Sequence, residues 1–302
     1  MAVCEMNSLA SAWLLVAMDL SVRCNRALER TVQLVAEWQA AIVALNLLDV
    51  TAAPDQALAW AAGVDEAQLT EIARRRLAHD LRGLAVPASA RVRRAAKVVN
   101  AIRQEADAVG AQLIITGMSH SEPLGRWLLG PTVERLARSL REPLLVVRER
   151  VRGHYHRIVV ASDFSNASGQ ALRTAARLFA SRNLVLYHAF DLPLSIRAEP
   201  VRAGEIAYDI EQSDCARFLD AHAHAAAVVA GPVIKQGPVA TALTAHVWAH
   251  DGELVVVRAR SHSAIASAPL GSTAATLLDW LTCHTLLACS PAARARPRPR
   301  HH

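Results

Sequence analysis

Two aspartates, Asp19 and Asp163, stand at matching places in the chain, each directly after a short apolar run. Such a run predicts a buried strand whose carboxyl end carries the aspartate. Ligands of parallel sheets bind at the carboxyl ends of the strands, so both carboxylates are candidate ligand contacts. The alternative is turn chemistry, in which each aspartate hydrogen-bonds its own backbone. A serine follows two positions later in each case, Ser21 or Ser165, placed to cap the next helix.

A glycine-bracketed loop supplies a second candidate chemistry. The segment "GMSHSEPLGRWLLGPT", from Gly117 to Thr132, links an apolar run to a helical pattern. Glycines let a backbone approach phosphate oxygens, and the N-terminus of the following helix offers free N–H groups and a positive dipole end. Pro131 stands at the first helical position, where it removes one backbone donor. The loop therefore keeps the outline of a phosphate cradle but lacks some of its parts.

Metal and nucleophile chemistry have weaker support. His246 and His250 lie four positions apart on a predicted helix, but without a third ligand a solvated helix face is the simpler interpretation. Ser165 and Ser168 stand in no nucleophile elbow. The sequence therefore predicts neither a metal site nor an enzyme, and a nucleotide-dependent hydrolase or ligase is the enzymatic alternative that stays open.

The candidate residues recur because the chain repeats itself. "LLVAMDLSVRCNRALERT" (14–31) aligns without a gap with "IVVASDFSNASGQALRTA" (158–175), and "LLGPTVERL" (128–136) aligns with "PLGSTAATL" (269–277). A period of about 140 residues is too long for a solenoid and indicates a duplicated domain. We call the halves copy one and copy two. The expected boundaries are an N-terminal extension (1–12), copy one (13–148), a linker (149–155), copy two (156–289) and a disordered basic tail (290–302).

Short apolar runs alternate with helical patterns within each copy. Five such alternations predict an α/β fold, with a five-stranded parallel sheet and helices on both faces. Near-continuous apolar strands such as "RIVVA" and "PLLVV" are typical of burial on both sides. The predicted helices include one over 94–109 and one over 203–225.

Composition narrows the class of protein. The 302 residues are 52% hydrophobic and 20% charged, as in globular domains. Four arginines of the last nine residues, "RARPRPRHH", account for most of the net charge of +6, so nucleic acid is not the expected partner. The five cysteines form no C-x-x-C pair, and the N-terminus lacks the basic start of a signal peptide. No apolar stretch reaches the roughly 18 residues of a membrane span, so we expect a soluble cytoplasmic protein.

The segments "VAMDLS", "RALERTVQLVA" and "LIITGMSHSEPLGRWLLGPTVERLARSLREPLLVVR" resemble the universal stress protein family, and the duplication resembles its tandem two-domain members. The resemblance implies two Rossmann-like sheets, each of strand order 3-2-1-4-5. It also implies that the two copies pair through their closing strands, "PLLVV" and "TLLAC", as an internal pseudo-dimer. A homodimer of whole chains and an unidentified protein partner stay open.

In the nucleotide-binding branch, the resemblance implies an ATP site. The aspartate after the first strand contacts the adenosine, an apolar residue of the second strand backs the adenine, and a G-x2-G-x9-G-[ST] loop wraps the phosphates. The positions that match are the cofactor-binding candidates: Asp19, Leu47, Gly117 and Gly130 in copy one, and Asp163, Ala189, Gly271 and Ser272 in copy two.

Neither copy has an intact motif. His120 and Pro131 interrupt it in copy one, and Arg258 and Ser261 interrupt it in copy two. Because copy two retains "GST" at the end of the loop, it is the slightly favoured nucleotide site. The predicted function is a stress-response or signalling module with residual, weak binding of ATP or another adenine nucleotide. The alternative is a nucleotide-independent interaction or scaffold module of the same fold.

Overall fold

The computed structural model describes eight parts of the chain, residues 9–20, 24–49, 63, 65–118, 131–166, 168–191, 200–259 and 272–289. The predicted tail and most of the predicted N-terminal extension lie outside these residues. So do five positions singled out in the sequence: Ser21, His120, Gly130, Ser261 and Gly271.

Strands and helices alternate through both copies, as the sequence predicts. The described part of copy one contains, in chain order, β1 (Trp13–Met18), α1 (Cys24–Trp38), β2 (Ala41–Asp49), α2 (Glu66–Asp80), β3 (Ala88–Ala95), α3 (Val98–Val109), β4 (Ala111–Gly117), α4 (Pro131–Ser139) and β5 (Leu144–Val147). That of copy two contains β6 (Ile158–Ala161), α5 (Gly169–Leu178), β7 (Leu184–Phe190), α6 (Pro200–Ala221), α7 (Ala223–Ala226), β8 (Val229–Gln236), α8 (Val239–Ala249), β9 (Leu254–Arg258), α9 (Ser272–Trp280) and β10 (His284–Ala288).

Two predicted helices have different limits in the structure. The helix expected over 94–109 begins only at Val98, because Arg94 and Ala95 still pair with β2 as the end of β3. The helix expected over 203–225 begins earlier, at Pro200, and is interrupted at His222 between α6 and α7.

The strands of both copies form one continuous sheet. Its order in the described residues is β3-β2-β1-β4-β5-β10-β9-β6-β7-β8. All neighbours are parallel except β5 and β10, which pair antiparallel where the two copies meet. The closing strand of each copy thereby satisfies the backbone groups of the other, which would otherwise form an exposed edge.

Helices cover both faces of this sheet. Along β1, Leu14 and Val16 point into the apolar cluster that contains Leu34 of α1 and Leu77 of α2. Leu15 points into the opposite cluster, with Ile102 of α3 and Leu136 of α4. The period of two along the strand therefore divides the core into two layers.

A buried arginine joins the two copies beside the β5–β10 pair. Arg148 is fully buried, and its guanidinium donates to the carbonyls of Leu278 and Leu281 at the end of α9. Its backbone amide donates to Nδ1 of His284, 3.2 Å away. Burial lowers the pKa of Arg148 to about 10. Burial, with smaller effects of Arg30 and Arg148, lowers the pKa of His284 to about 3.

Residues of the segment between the copies are also fixed by contacts. Tyr155 is buried, and its ring lies 4.1 Å from the guanidinium carbon of Arg30. Arg30 also donates to the carbonyl of Gly153, 2.7 Å away. These contacts attach the segment to α1.

Candidate functional site

Three of the predicted site residues line one cavity in copy one. Strands β2, β1 and β4 lie side by side, so their carboxyl ends bring together Leu47, Asp19 and Gly117. The cavity has a volume of about 400 Å³. Small-molecule sites in proteins measure roughly 300–1,000 Å³, so this cavity has the size of a ligand site. We call it the nucleoside cavity, after the ligand that we propose for it.

Apolar side chains form most of the remaining wall of the nucleoside cavity. They come from β2, α3 and α4 and are Leu45, Val98, Ile102, Val133 and Leu136. The carboxylate of Asp19 stands at the edge of this wall, and its residue is exposed. Among the described residues of the lining, Asp19 is the one acid. This arrangement suits a ligand with an apolar ring and a hydroxyl-bearing group beside it.

The turn that presents Asp19 is held by a cysteine that the sequence reasoning missed. Cys24 begins α1, lines the nucleoside cavity and donates from its thiol to Oδ1 of Asp19, 3.0 Å away. The amide of Asp19 in turn lies 3.2 Å from the Cys24 sulfur. The repeat could have identified Cys24, because the aligned position in copy two holds another side chain that can donate a hydrogen bond, Ser168.

Copy two builds the same turn with different partners. Leu20 and Phe164, the residues after the two aspartates, both adopt left-handed φ angles, 61° and 55°. Few non-glycine residues do so. The shared strain therefore marks one turn geometry, retained in both copies.

Local hydrogen bonds engage the aspartate of copy two. The amide and the hydroxyl of Ser165 both donate to Oδ1 of Asp163, at 3.1 and 2.6 Å. The Ser165 hydroxyl oxygen also accepts from the amide of Ser168, 3.2 Å away, in the turn before α5. The N-cap of α5 is Ser168, with no side-chain capping bond, so Ser165 does not cap the helix in the way that the sequence predicted. Burial alone would raise the pKa of Asp163, but the hydrogen bonds from Ser165 outweigh it and hold the pKa below its usual range. Asp163 therefore forms the local turn hydrogen bonds that were the alternative to a ligand contact.

A tyrosine stands in copy two where copy one has Leu45 in the cavity wall. Tyr187 pairs with Ala161 in the register that joins Leu45 to Ala17. It is buried, which raises the pKa of its phenol. The neighbouring site candidate, Ala189, is also buried.

The ring of Tyr187 packs against His246 of α8, at 4.8 Å between centroids. Burial, with weaker repulsion from His250 and Lys235, lowers the pKa of His246. His246 is half-buried against Tyr187 and His250 is exposed, so this histidine face is partly solvated.

An arginine ends the fourth strand of copy two, where copy one has glycine. Gly117 ends β4 beside Val147, and Arg258 ends β9 beside Ala288. The Nε atom of Arg258 is buried and has no hydrogen-bond partner among the described residues. Ser272 is the first residue of α9, and the other two loop candidates, Gly130 and Gly271, lie outside the described residues.

In the part of the chain that the structure describes, no three His, Cys, Asp or Glu side chains are grouped as metal ligands. The described helices include none with the length and apolar character needed to cross a membrane.

Solved structures share this architecture over nearly the whole chain. A functionally unknown protein from Pseudomonas aeruginosa PAO1 is 18% identical, with a TM-score of 0.67, 95% of this chain covered and 94% of that one. A putative universal stress protein from Pseudomonas aeruginosa UCBPP-PA14 is 19% identical, with a TM-score of 0.66 and 95% of both chains covered. A universal stress protein from Archaeoglobus fulgidus DSM 4304 is 16% identical, with a TM-score of 0.63, 93% of this chain covered and 99% of that one. At these identities the likeness establishes the fold.

The sequence itself carries the family signal. No curated protein matches the chain. The model of the universal stress protein family matches it twice, over residues 14–148 and again over 154–288. The chain therefore belongs to the universal stress protein family and carries two family domains in tandem.

Proposed function

We propose that copy one binds an adenine nucleotide and that the protein acts as a nucleotide-responsive stress-response or signalling module in the cytoplasm. The observation that carries this proposal is the nucleoside cavity, in which Asp19, Leu47 and Gly117 converge. These are the copy-one positions that the family resemblance assigns to adenosine, adenine and phosphate contacts, within the described residues.

Each wall of the nucleoside cavity suits one part of such a ligand. A purine ring fits the apolar slot between Leu47 and Ile102, where it leaves water. The Asp19 carboxylate accepts hydrogen bonds from ribose hydroxyls. Gly117 has no side chain, so a phosphate can come close to the backbone at the end of β4. Pro131 removes an amide from the phosphate side, and the expected affinity is accordingly modest.

Copy two is proposed to be the structural partner of this site. The sequence slightly favoured copy two for nucleotide because of "GST", but its crevice contains Tyr187 and Arg258 at the positions of Leu45 and Gly117. These two side chains support copy one as the binding copy.

The test is a nucleotide titration of matched aspartate variants. Nucleotide that copurifies is released by denaturation and identified, and the emptied protein is titrated with ATP, AMP and adenosine by calorimetry. Asp19→Ala is expected to weaken binding about tenfold or more, as removal of a charged hydrogen-bond acceptor does. Asp163→Ala is the matched control and leaves the affinity unchanged. Loss of binding with Asp163→Ala and not with Asp19→Ala would assign the site to copy two.

A nucleotide-independent interaction module is the second candidate function. It is supported by two exposed tryptophans of copy two, Trp248 on α8 and Trp280 on α9, with 67% and 53% of their surfaces exposed. Large exposed apolar side chains commonly mark interaction surfaces. Absence of any nucleotide binding at millimolar ATP would favour this candidate.

A further inference from the structure

The continuous sheet has two outer edges, one in each copy. In the described residues these are β3 and β8, the two ends of the strand order. The outer side of an edge strand carries backbone N–H and C=O groups that can pair with a strand from another molecule. The two edges differ in their backbone donors and in their charge, and these differences indicate which edge is open to such pairing.

Half of the backbone groups of β3 point away from the sheet. The amide of Ile42 in β2 donates to the carbonyl of Pro87, 2.8 Å away, and Ile42 lies opposite Ala88. In a parallel ladder, every second residue of a strand bonds to a given neighbour. The alternation that begins at Ile42 joins β2 to positions 89, 91, 93 and 95 of β3. The residues whose N–H and C=O groups face outwards are therefore Ala88, Ala90, Val92 and Arg94.

Copy two has a proline at the equivalent place on its own edge. Pro232 of β8 lies opposite Leu186 of β7. The corresponding residue of copy one is Ala90, which lies opposite Ala44 of β2 in the same register. Proline has no N–H group, and sheets accept it at edge positions whose N–H would face solvent. The edge of β3 therefore keeps an outward donor that the edge of β8 lacks.

Three arginines give the β3 edge its charge. Arg91 and Arg93 share one carboxylate, that of the buried Glu105 in α3. Arg94 pairs with Glu66 of α2 on the other face of the sheet, 2.5 Å away. In these ion pairs, three guanidinium groups meet two carboxylates, and the side chains of Arg93 and Arg94 are 60% and 44% exposed. Each guanidinium carries several N–H donors, so donors remain for further carboxylates.

This charge disfavours a second copy of the chain as the occupant of the edge. Antiparallel pairing of β3 with β3 of another copy, centred on the arginines, brings these like charges together, which destabilises a sheet. A strand with acidic residues instead places carboxylates beside the arginines. Because Arg91 and Arg93 are two positions apart, they lie on one face of the sheet, and the acids that match them occupy alternate positions.

We propose that β3 is a docking edge for an extended acidic peptide, which adds to the sheet as a further strand. Main-chain hydrogen bonds to the outward groups of β3 supply affinity, and acids at alternate positions of the peptide pair with Arg91 and Arg93. No residue of β3 is among those that line the nucleoside cavity, so this inference does not depend on nucleotide binding.

The test uses a fluorescent peptide as long as β3, in which glutamate alternates with threonine and valine. Its binding is measured by fluorescence anisotropy. Ala90→Pro is expected to weaken binding about tenfold, because it removes an outward amide. Ala90→Thr keeps the amide at this exposed position and is the matched control, with wild-type affinity expected. Melting curves check that both variants fold, as the proline at the equivalent position of β8 leads us to expect.

Two further measurements distinguish strand addition from simple attraction between charges. Arg93→Gln/Arg94→Gln is expected to weaken binding about tenfold, and binding by the wild type is expected to weaken as salt increases. A peptide of the same sequence with methyl groups on alternate backbone nitrogens lacks the donors for a ladder, and we expect it not to bind. Hydrogen exchange with the unmodified peptide is expected to slow over residues 88–95.

Each contrary result overturns a stated part of the inference. Equal affinity of Ala90→Pro and wild-type protein, or of the methylated and unmethylated peptides, would show a charged patch without strand addition. Equal binding of a peptide with lysine in place of glutamate would overturn the acidic partner. A wild-type dimer that Ala90→Pro dissociates, measured by sedimentation, would make a second copy the occupant. Absence of binding at millimolar peptide would overturn the docking edge and leave the proposed nucleotide site unaffected.

Discussion

Copy one and copy two share a frame and differ in what fills its crevice. Both place an aspartate after the first strand, followed by a left-handed residue, Leu20 or Phe164. The crevice of copy one is a cavity, whereas copy two has Tyr187 where Leu45 lines that cavity and Arg258 where Gly117 ends the strand. The two copies therefore share a frame and differ in the side chains that stand at their strand ends.

The comparison also extends to the residues that follow the closing strands. Arg148 follows β5 and Cys289 follows β10, and both are buried. Arg148 reaches across to the other copy, where it donates to carbonyls at the end of α9. The thiol of Cys289 donates to the carbonyl of Leu287 in its own copy. The two residues that follow the closing strands therefore contribute unequally to the junction.

The largest expected effect comes from this inequality. Arg148→Ala leaves a buried cavity and two carbonyls without their charged donor, so we expect a loss of about 3–5 kcal/mol in the free energy of unfolding. Cys289→Ala removes only a sulfur atom and costs about 1 kcal/mol. Urea unfolding monitored by circular dichroism measures both. Equal losses would mean that Arg148 acts only as a space-filling side chain.

Exchange of the residue types at Leu45 and Tyr187 is expected to have the next largest effect, on the affinity for nucleotide. Leu45→Tyr puts a phenol ring into the nucleoside cavity, and we expect the affinity of copy one for nucleotide to fall about a hundredfold, or about 2.7 kcal/mol. Tyr187→Leu is the matched change in copy two and leaves nucleotide affinity unchanged. Calorimetry measures the affinities, and a melting curve checks that both variants are folded. Full binding by folded Leu45→Tyr protein would move the ligand away from this cavity.

Much of the frame could be predicted from the sequence, because strands buried on both faces leave a clear apolar pattern. β1 ends at Met18, directly before Asp19, and β6 ends at Ala161, two residues before Asp163, so both aspartates follow strands as predicted. The contents of the crevice could not be predicted in this way. Tyr187 lies in an apolar run and looks like any core residue, and its role depends on a strand register that sequence does not give. Cys24 was missed because its contact with Asp19 depends on the geometry of the turn.

Protonation of His284, a residue of copy two at the junction, is expected to have a smaller effect on the free energy of unfolding. His284 precedes Thr285 in β10, whereas the equivalent residue before β5 is Pro143, which does not titrate. The pKa of His284 is about 3 in the folded protein, against about 6.5 in an unfolded chain. Between these values the unfolded state takes up a proton that the folded state does not. Stability therefore falls as pH falls from about 6.5 towards 3, by up to about 1.4 kcal/mol per pH unit.

A variant of His284 separates the contribution of this histidine to the pH dependence of stability from that of the carboxylates. His284→Asn keeps an acceptor for the Arg148 amide but cannot be protonated in this range. The free energy of unfolding is measured between pH 6.5 and 4.5, and the slope of the variant is expected to be shallower than that of the wild type. His79→Asn, at an exposed histidine of α2, is the control for the substitution itself. The same slope in all three proteins would show that His284 is protonated without unfolding.

The smallest effect is expected from a substitution at the start of α1. It tests whether this position also contributes to the difference in nucleotide binding between the copies. Cys24→Ser gives copy one the residue type that Ser168 supplies in copy two. A hydroxyl can donate to the Asp19 carboxylate as the thiol does, so we expect nucleotide affinity to change less than about threefold and stability by less than about 1 kcal/mol. Cys24→Ala removes the donor and is expected to weaken nucleotide binding more than Cys24→Ser. If serine is tolerated, the difference between the copies resides in the crevice, at Tyr187 and Arg258, and not in the turn that presents the aspartate. A tenfold loss with serine would instead assign copy one's binding to the thiol itself.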